Sequence, residues 1–174
     1  MYVYLEQYWK PGLNKPVMKL SIVQVGKTDS RYLNEGLSLY YSRIRKMITL
    51  EIITVNTSRD SANKPWAVRK NEEADKIAEQ FKKGDIIVLL DEAGEQMDSR
   101  SFASFIQKMM NTGPRRIVFI IGGSFGINDE LKKSANRIIA LSRMTFSHQM
   151  VRLLFAEQLY RAFTILKGIP YHHD

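Results

Sequence analysis

The chain has 174 residues, 44% of them hydrophobic, with a formal net charge of +8 at pH 7 and an isoelectric point near 9.7. That length suits one domain able to bury its own core, and the absence of cysteine removes disulfide frameworks, thiolate metal sites and thiol nucleophiles. No apolar run approaches the roughly 20 residues of a membrane span, and the N-terminus lacks the basic-then-apolar order of a secretion signal, so a cytoplasmic protein is expected.

Residues 1–17, MYVYLEQYWKPGLNKPV, mix aromatics, two prolines and a glycine without periodicity and read as an N-terminal extension or tag. They contribute Lys10 and Lys15 against Glu6, a net +1, so +7 of the +8 belongs to the domain at 18–174. Such an excess favours an anionic partner, nucleic acid foremost, because clustered Lys and Arg neutralise phosphates and release counterions. After Met18 the segment KLSIVQV alternates as a strand, and Ser30 to Met47 follows as a helix with Leu33, Leu37, Tyr40, Tyr41 and Ile44 on one face. TLEIITV is a second strand, Asn56 to Pro65 a polar loop, and Trp66 to Lys82 a helix. DIIVLL is a third strand, and a helix over Ser99 to Asn111 is capped by Asp98 or Ser99. RRIVFII is a fourth strand, followed by a short helix near Asn128 to Ser134 and a strand RIIAL. A final helix runs from about Ser147 to Lys167, stopped by Gly168 and Pro170.

The continuous apolar runs Ile86–Leu90 and Ile117–Ile121 suit strands covered on both faces, and their alternation with helices implies parallel crossovers. The expected class is α/β, a parallel-sheet sandwich. Ligands in such sheets sit beyond the carboxyl ends of the strands, which makes the loops 91–97, 122–128 and 142–147 the candidate site.

Within those loops, GGSFG at 122–126 has no Gly-Lys-Ser/Thr to close a Walker loop and lacks the Gly-x-Gly-x-x-Gly order of dinucleotide sites. Its glycines let a ligand approach the main chain, and plain turn chemistry is the alternative. LSRMTFSHQMVR at 141–152 supplies hydroxyls (Ser142, Thr145, Ser147), an apolar pair (Met144, Phe146), a cation (Arg143) and His148 at a helix start, where free amides give a positive field. On residues alone Ser147 reads as a helix cap and His148 as a solvated first-turn residue, with catalysis the alternative. No Gly-x-Ser-x-Gly elbow supports a hydrolase. The last helix carries nine large apolar side chains between Met150 and Leu166 and must be covered by sheet, partner subunit or both. Its Arg152, Glu157 and Arg161 then need partners or a site. Tyr171, His172 and His173 are too few for a metal site and read as a frayed end.

Six segments in fixed order, MKLSIVQVGK, VLLDEAGEQMDS, FIIGGSFG, LSRMTFSHQMVR, EQLYRAFTILKG and PYHHD, closely resemble the RlmH family of SPOUT-class RNA methyltransferases, the pseudouridine-1915 N3 enzymes of 23S ribosomal RNA. The resemblance spans Met18 to Asp174. It implies a C-terminal trefoil knot, against the rule that chains avoid threading. A homodimer, S-adenosylmethionine as cofactor, 23S rRNA within the ribosome as substrate, and neither metal nor membrane are implied with it. Carried over by motif, Leu90, Gly122, Leu141, Ser142, Arg143, Met144, Thr145 and Phe146 would hold the cofactor. Leu90, Leu141, Met144 and Phe146 would wall the adenine, and main-chain groups of 142–145 would orient it. His148, Arg152, Tyr171 and His172 are the candidates for the transfer step, a cation stabilising the developing uracil anion and an imidazole or water taking its proton. The alternative is a non-catalytic RNA- or ribosome-binding domain of the same fold.

Overall fold

The computed structural model describes residues 18–56 and 63–171; the N-terminal extension, most of the Asn56–Pro65 loop and His172 lie outside the described residues. In chain order the elements are β1 (Lys19–Val25), α1 (Arg31–Arg45), β2 (Thr49–Val55), α2 (Trp66–Ala78), β3 (Asp85–Gln96), α3 (Ser99–Asn111), β4 (Arg116–Ile121), α4 (Asp129–Ser134), β5 (Arg137–Ala140) and α5 (Met150–Leu166). The strands form one sheet in the order β2-β1-β4-β3-β5, and every neighbouring pair is parallel. This is the α/β architecture the sequence implies.

Successive side chains of a strand point to opposite faces, and the core divides accordingly. Leu20 and Ile22 of β1 and Ile117 and Phe119 of β4 join Leu37 and Ile44 of α1, Ile106 of α3, and Phe155 and Leu159 of α5 in one buried cluster. Val23, Val118 and Ile120 join Ala74 and Ile77 of α2 and Leu131 of α4 in the other. Each Val, Leu, Ile or Phe side chain among these, taken fully out of water, contributes about 1.5–3 kcal/mol. At the start of β3 and β4, Arg116 Nε donates to Asp85 Oδ1 at 3.0 Å, and Arg116 Nη2 donates to the Gln80 carbonyl at 2.7 Å. That carbonyl is available because α2 stops at Ala78, short of the expected Lys82.

Two further expectations need correction. The third strand does not end at Leu90: it continues to Gln96 through a bulge, Leu90 and Glu95 both standing opposite Ile139 of β5 while 91–94 arch out of the ladder. Gly94 makes the close approach possible, since a Cβ there would lie 2.5 Å from the Ile139 carbonyl carbon. The last helix begins at Met150, three residues after the expected Ser147. Its N-cap residue is Gln149 rather than the expected Ser147, although Ser147 Oγ accepts from Met150 N at 3.2 Å and its carbonyl from Val151 N at 3.0 Å. Gln149 is held instead by the loop after β1, its Oε1 accepting from Asp29 N at 2.9 Å.

At the other end of α5, Ile169 N donates to Thr164 O and Gly168 N to Ile165 O, with Gly168 at φ 63°. This paired closure satisfies the last carbonyls and turns Tyr171 back onto α1. Among the described residues no helix is long and apolar enough to cross a membrane.

Candidate functional site

Beyond the carboxyl ends of β3, β4 and β5 the three candidate loops meet around one cavity of about 590 Å³, within the range of about 300–1,000 Å³ that small-molecule sites occupy. Leu90, Ile121, Leu141, Phe146 and Val151 give it apolar walls, and Asp91, Lys132 and Lys70 stand among its polar residues. Lys132 Nζ lies 2.7 Å from Asp91 Oδ2. Burial alone would raise the Asp91 carboxyl, but its hydrogen bonds to Lys132 and the Ala93 N–H, with the charge of Lys132, hold it below the usual range. A cavity of this kind suits a ligand with a flat apolar part and charged ends.

The loop after β5 is fixed to the arch of β3: Thr145 Oγ1 donates to Glu92 Oε2 at 2.9 Å. Met144 N donates to Ser142 Oγ at 2.9 Å, so one of the main-chain donors expected to serve a ligand is engaged within the loop. Met144 itself is 74% exposed and borders the cavity without closing it.

The glycine loop packs closely on the protein beneath it while bordering the cavity. A Cβ on Gly122 would meet Ile127 Cγ1 at 2.8 Å, and one on Gly123 would meet Glu73 Oε2 at 2.5 Å. The bare α-carbons therefore face protein, letting the loop sit flat on Ile127 and α2. Glu73 is a residue the sequence did not single out. It is buried, its Oε2 has no hydrogen-bond partner among the described residues, and burial raises its carboxyl against the lowering charge of Arg69.

Of the cofactor candidates, Leu90, Gly122, Leu141, Ser142, Met144, Thr145 and Phe146 line the cavity, whereas Arg143 is exposed and outside its lining. Among the transfer candidates within the described residues, only His148 lines it. Burial, then the charge of Arg152, lower His148 below the ordinary imidazole range, with Asp29 opposing. The ring is thus neutral at pH 7 and able to accept a proton. Arg152 is wholly buried behind the loop after β1, donating to the Val25 carbonyl and, at 2.8 Å, to Thr28 Oγ1.

Tyr171 stands away from the cavity lining of its own chain, at the C-terminal end of α5. Its hydroxyl donates to Glu157 Oε1 at 3.2 Å, and its ring meets Tyr160 edge-on with centroids 4.8 Å apart. Burial, the Tyr40 hydroxyl and the Glu157 charge all raise its phenol. Glu157 and Arg161, expensive if left single, form an i,i+4 ion pair with Arg161 Nη2 2.6 Å from Glu157 Oε1. Asp91 and Lys132 also escaped the sequence reading. Asp91 sits inside a quoted motif, but nothing local signals that a lysine on α4 will fold onto it.

A family model described as a predicted SPOUT methyltransferase matches residues 18–172. Curated relatives named ribosomal RNA large subunit methyltransferase H include one from Christiangramia forsetii, 46% identical over 90% of this chain and 99% of its own. Others are from Parabacteroides distasonis and Geobacter sulfurreducens, each 41% identical over 90% of this chain and 100% of theirs. Among solved structures, a probable methyltransferase from Bordetella pertussis Tohama I superposes with a TM-score of 0.52 at 15% identity, covering 84% of this chain and 95% of its own. That last likeness is one of fold.

Proposed function

The chain belongs to the SPOUT methyltransferase family, and we propose that it methylates N3 of pseudouridine 1915 in 23S ribosomal RNA on the ribosome, with S-adenosylmethionine as donor. The observation that carries this reading is the joining of the three strand-end loops around one cavity bordered by the neutral His148. It occurs in a chain at least 41% identical, over nine-tenths of its length, to relatives named as large-subunit ribosomal RNA methyltransferases.

The residues present fit the cofactor. Leu90, Ile121, Leu141 and Phe146 supply an apolar wall for an adenine, and the Asp91–Lys132 pair with Lys70 offers both charge signs to a zwitterionic amino-acid end. Ser142 and Thr145 add hydroxyls beside it. When bound, S-adenosylmethionine supplies an electrophilic sulfonium methyl. The protein has to align the acceptor nitrogen and remove its proton, and alignment is worth up to roughly 7–11 kcal/mol in well-oriented reactions. His148 takes the proton in this reading, Arg152 stabilises the developing uracil anion by its charge, and Tyr171 and His172 hold the target base.

The trefoil knot belongs to the same reading. It is supported by the placement of β5 hard against the arch of β3, followed by the return of the chain through 141–149 to α5. A homodimer is supported by the partly buried apolar side chains left along α5, among them Val151, Leu153, Ile165 and Leu166. Light scattering should give twice the chain mass, and a stable monomer at micromolar concentration would remove the interface. A cytoplasmic site of action follows from the ribosomal substrate.

The decisive experiment is mass spectrometry of large-subunit RNA from cells with and without the gene. One methyl group missing from one pseudouridine in the deletion strain is expected, and an unchanged modification pattern refutes the assignment. Calorimetric titration with S-adenosylmethionine separates the enzyme from a binding domain of the same fold.

A further inference from the structure

Arg152 is 0% exposed, yet its hydrogen bonds go to neutral acceptors, the Val25 carbonyl and the Thr28 hydroxyl. Among the described residues no carboxylate lies within ion-pair distance of it. The acidic group that influences it is Asp29, which is exposed and accepts from Gln149 Nε2. A guanidinium taken out of water without a counter-charge is strongly penalised, and one partner short is the worst arrangement. A fold that keeps such a group leaves room for a negative charge arriving from outside.

There is such room. Gln24 and Tyr41 line a second cavity, of about 300 Å³, together with Lys27, Thr28, Ser38 and Thr54, and among the described residues no acidic one lines it. Three buried polar atoms in this region have no partner among the described residues: Arg152 Nε, the Tyr41 hydroxyl and Gln24 Oε1. Tyr41 is 8% and Gln24 6% exposed. Burial pushes the Tyr41 phenol up to about 12 against the lowering charges of Arg152 and Arg45, so it stays a neutral donor near pH 7. Gln24 Nε2 lies 3.3 Å from Thr54 Oγ1. Half a turn of the amide keeps that contact, with the hydroxyl as donor, and presents NH2 to the cavity. Lys27, exposed at the cavity mouth, adds a second cation. The first turn of α1, which follows directly, carries no acidic residue to cancel its free amides.

We propose that this second cavity, at the carboxyl ends of β1 and β2, is an oxyanion site that receives a backbone phosphate of the RNA substrate. Lys27 and Tyr41 are its donors, and Arg152, bonded to the lining hydroxyl of Thr28, supplies positive charge from behind it. The RNA as source of the phosphate rests on the function proposed above; the demand for an anion does not. The position is apt, because β1 pairs directly with β4 and the loop after β1 is bonded through Asp29 to Gln149, next to His148. A phosphate gripped there fixes the strand relative to the first cavity, which specificity for bases alone would not do.

The test uses the full-length, 15N-labelled protein and follows the Nε–H resonance of Arg152 and the side-chain amide of Gln24. Sodium phosphate should shift both, sodium chloride at matched ionic strength should not, and a single-stranded RNA oligonucleotide of large-subunit sequence should shift them at a concentration at least about tenfold lower than phosphate, through added contacts. Lys27→Gln and Tyr41→Phe should each weaken RNA binding by about three- to tenfold, as expected for one lost hydrogen bond to a charged group. Silence of both resonances towards phosphate and RNA overturns the site, water then filling the cavity. A response to phosphate but not to RNA overturns the assignment to substrate. Calorimetry of the wild-type chain with S-adenosylmethionine is the separate readout of the methyltransferase reading: failure there with the shifts intact leaves the oxyanion site standing.

Discussion

Replacing Gly94 by alanine tests the joint between β3 and β5 that carries one side of the first cavity. The new Cβ would lie 2.5 Å from Ile139 C, 2.7 Å from Ile139 N and 2.8 Å from Ile138 C. Carbon atoms rest comfortably at about 3.5–4.0 Å, so the overlap is on the order of 1 Å, and main-chain atoms cannot rotate aside. Relief requires β5 to retreat from the arch, which loosens the pairings Glu95↔Ile139 and Gln96↔Ala140. Each backbone hydrogen bond nets about 0.5–1.5 kcal/mol, and a buried group left without its partner costs more, giving a total of about 2–4 kcal/mol. For a chain of this length that lowers Tm by roughly 5–15 °C. Because Leu141 to Phe146 follow directly from β5, affinity for S-adenosylmethionine should fall at least about tenfold, equivalent to 1.4 kcal/mol. Scanning calorimetry and isothermal titration read the two effects. Gly113→Ala is the control: at φ 69° with nothing within 4 Å of the added carbon, it should lose about 1–2 kcal/mol of backbone preference and leave cofactor affinity untouched. A Gly94→Ala protein no less stable than this control, with affinity intact, would refute the reasoning.

Gly122→Val should abolish cofactor binding in a folded protein, because the side chain would drive Ile127 and with it the glycine loop into the cavity, at an overpacking cost of about 1–3 kcal/mol; unchanged calorimetric affinity with a native circular dichroism spectrum would move the site elsewhere. Glu73→Gln should make stability less sensitive to pH. Burial raises the folded-state carboxyl, so wild type is favoured while Glu73 is protonated and loses stability as pH rises from the unfolded value, about 4.3, through the raised folded one. Urea midpoints at pH 5 and pH 8 should therefore diverge in favour of the variant at pH 8, and a pH-independent difference would contradict this. Deleting residues 171–174 should leave cofactor affinity within a few fold but slow methylation of ribosomes at least about a hundredfold, on the order of 3 kcal/mol; equal single-turnover rates would reduce the tail to a packing element on Glu157 and Tyr160.

Local signals reached the elements whose causes are local. The alternation of β1 and β2 set their bounds at Lys19–Val25 and Thr49–Val55, and the Asp98 side chain, accepting from Ser101 N at 2.6 Å, set the start of α3. The continuation of β3 through DEAGEQ was illegible because that stretch is polar and glycine-bearing; it is strand only because β5 pairs with it. The start of α5 was misplaced for a similar reason, Gln149 being drawn to Asp29 at the far end of the chain. The strand-end rule did identify the three loops that enclose the first cavity. Its charged residues were beyond reach, since Asp91 and Lys132 meet only in three dimensions. An arginine amid the apolar residues of α5 signals a cost in the sequence, but the burial of Arg152 among neutral acceptors belongs to the fold.

The bond from Arg152 to the Val25 carbonyl, with the packing of α5 on α1, makes the last helix a structural partner of the first strand and helix. During synthesis β1 and α1 emerge first and remain without that cover until α5 has been made, with Leu37, Tyr41 and Ile44 open to solvent in the meantime. Closing contacts so distant in sequence is slow, and chains waiting for them are exposed to misassociation. The nascent chain therefore completes this core only after α5 has left the ribosome that makes it, so that a protein proposed to modify ribosomes is not competent to do so until that helix is free to pack on β1 and α1.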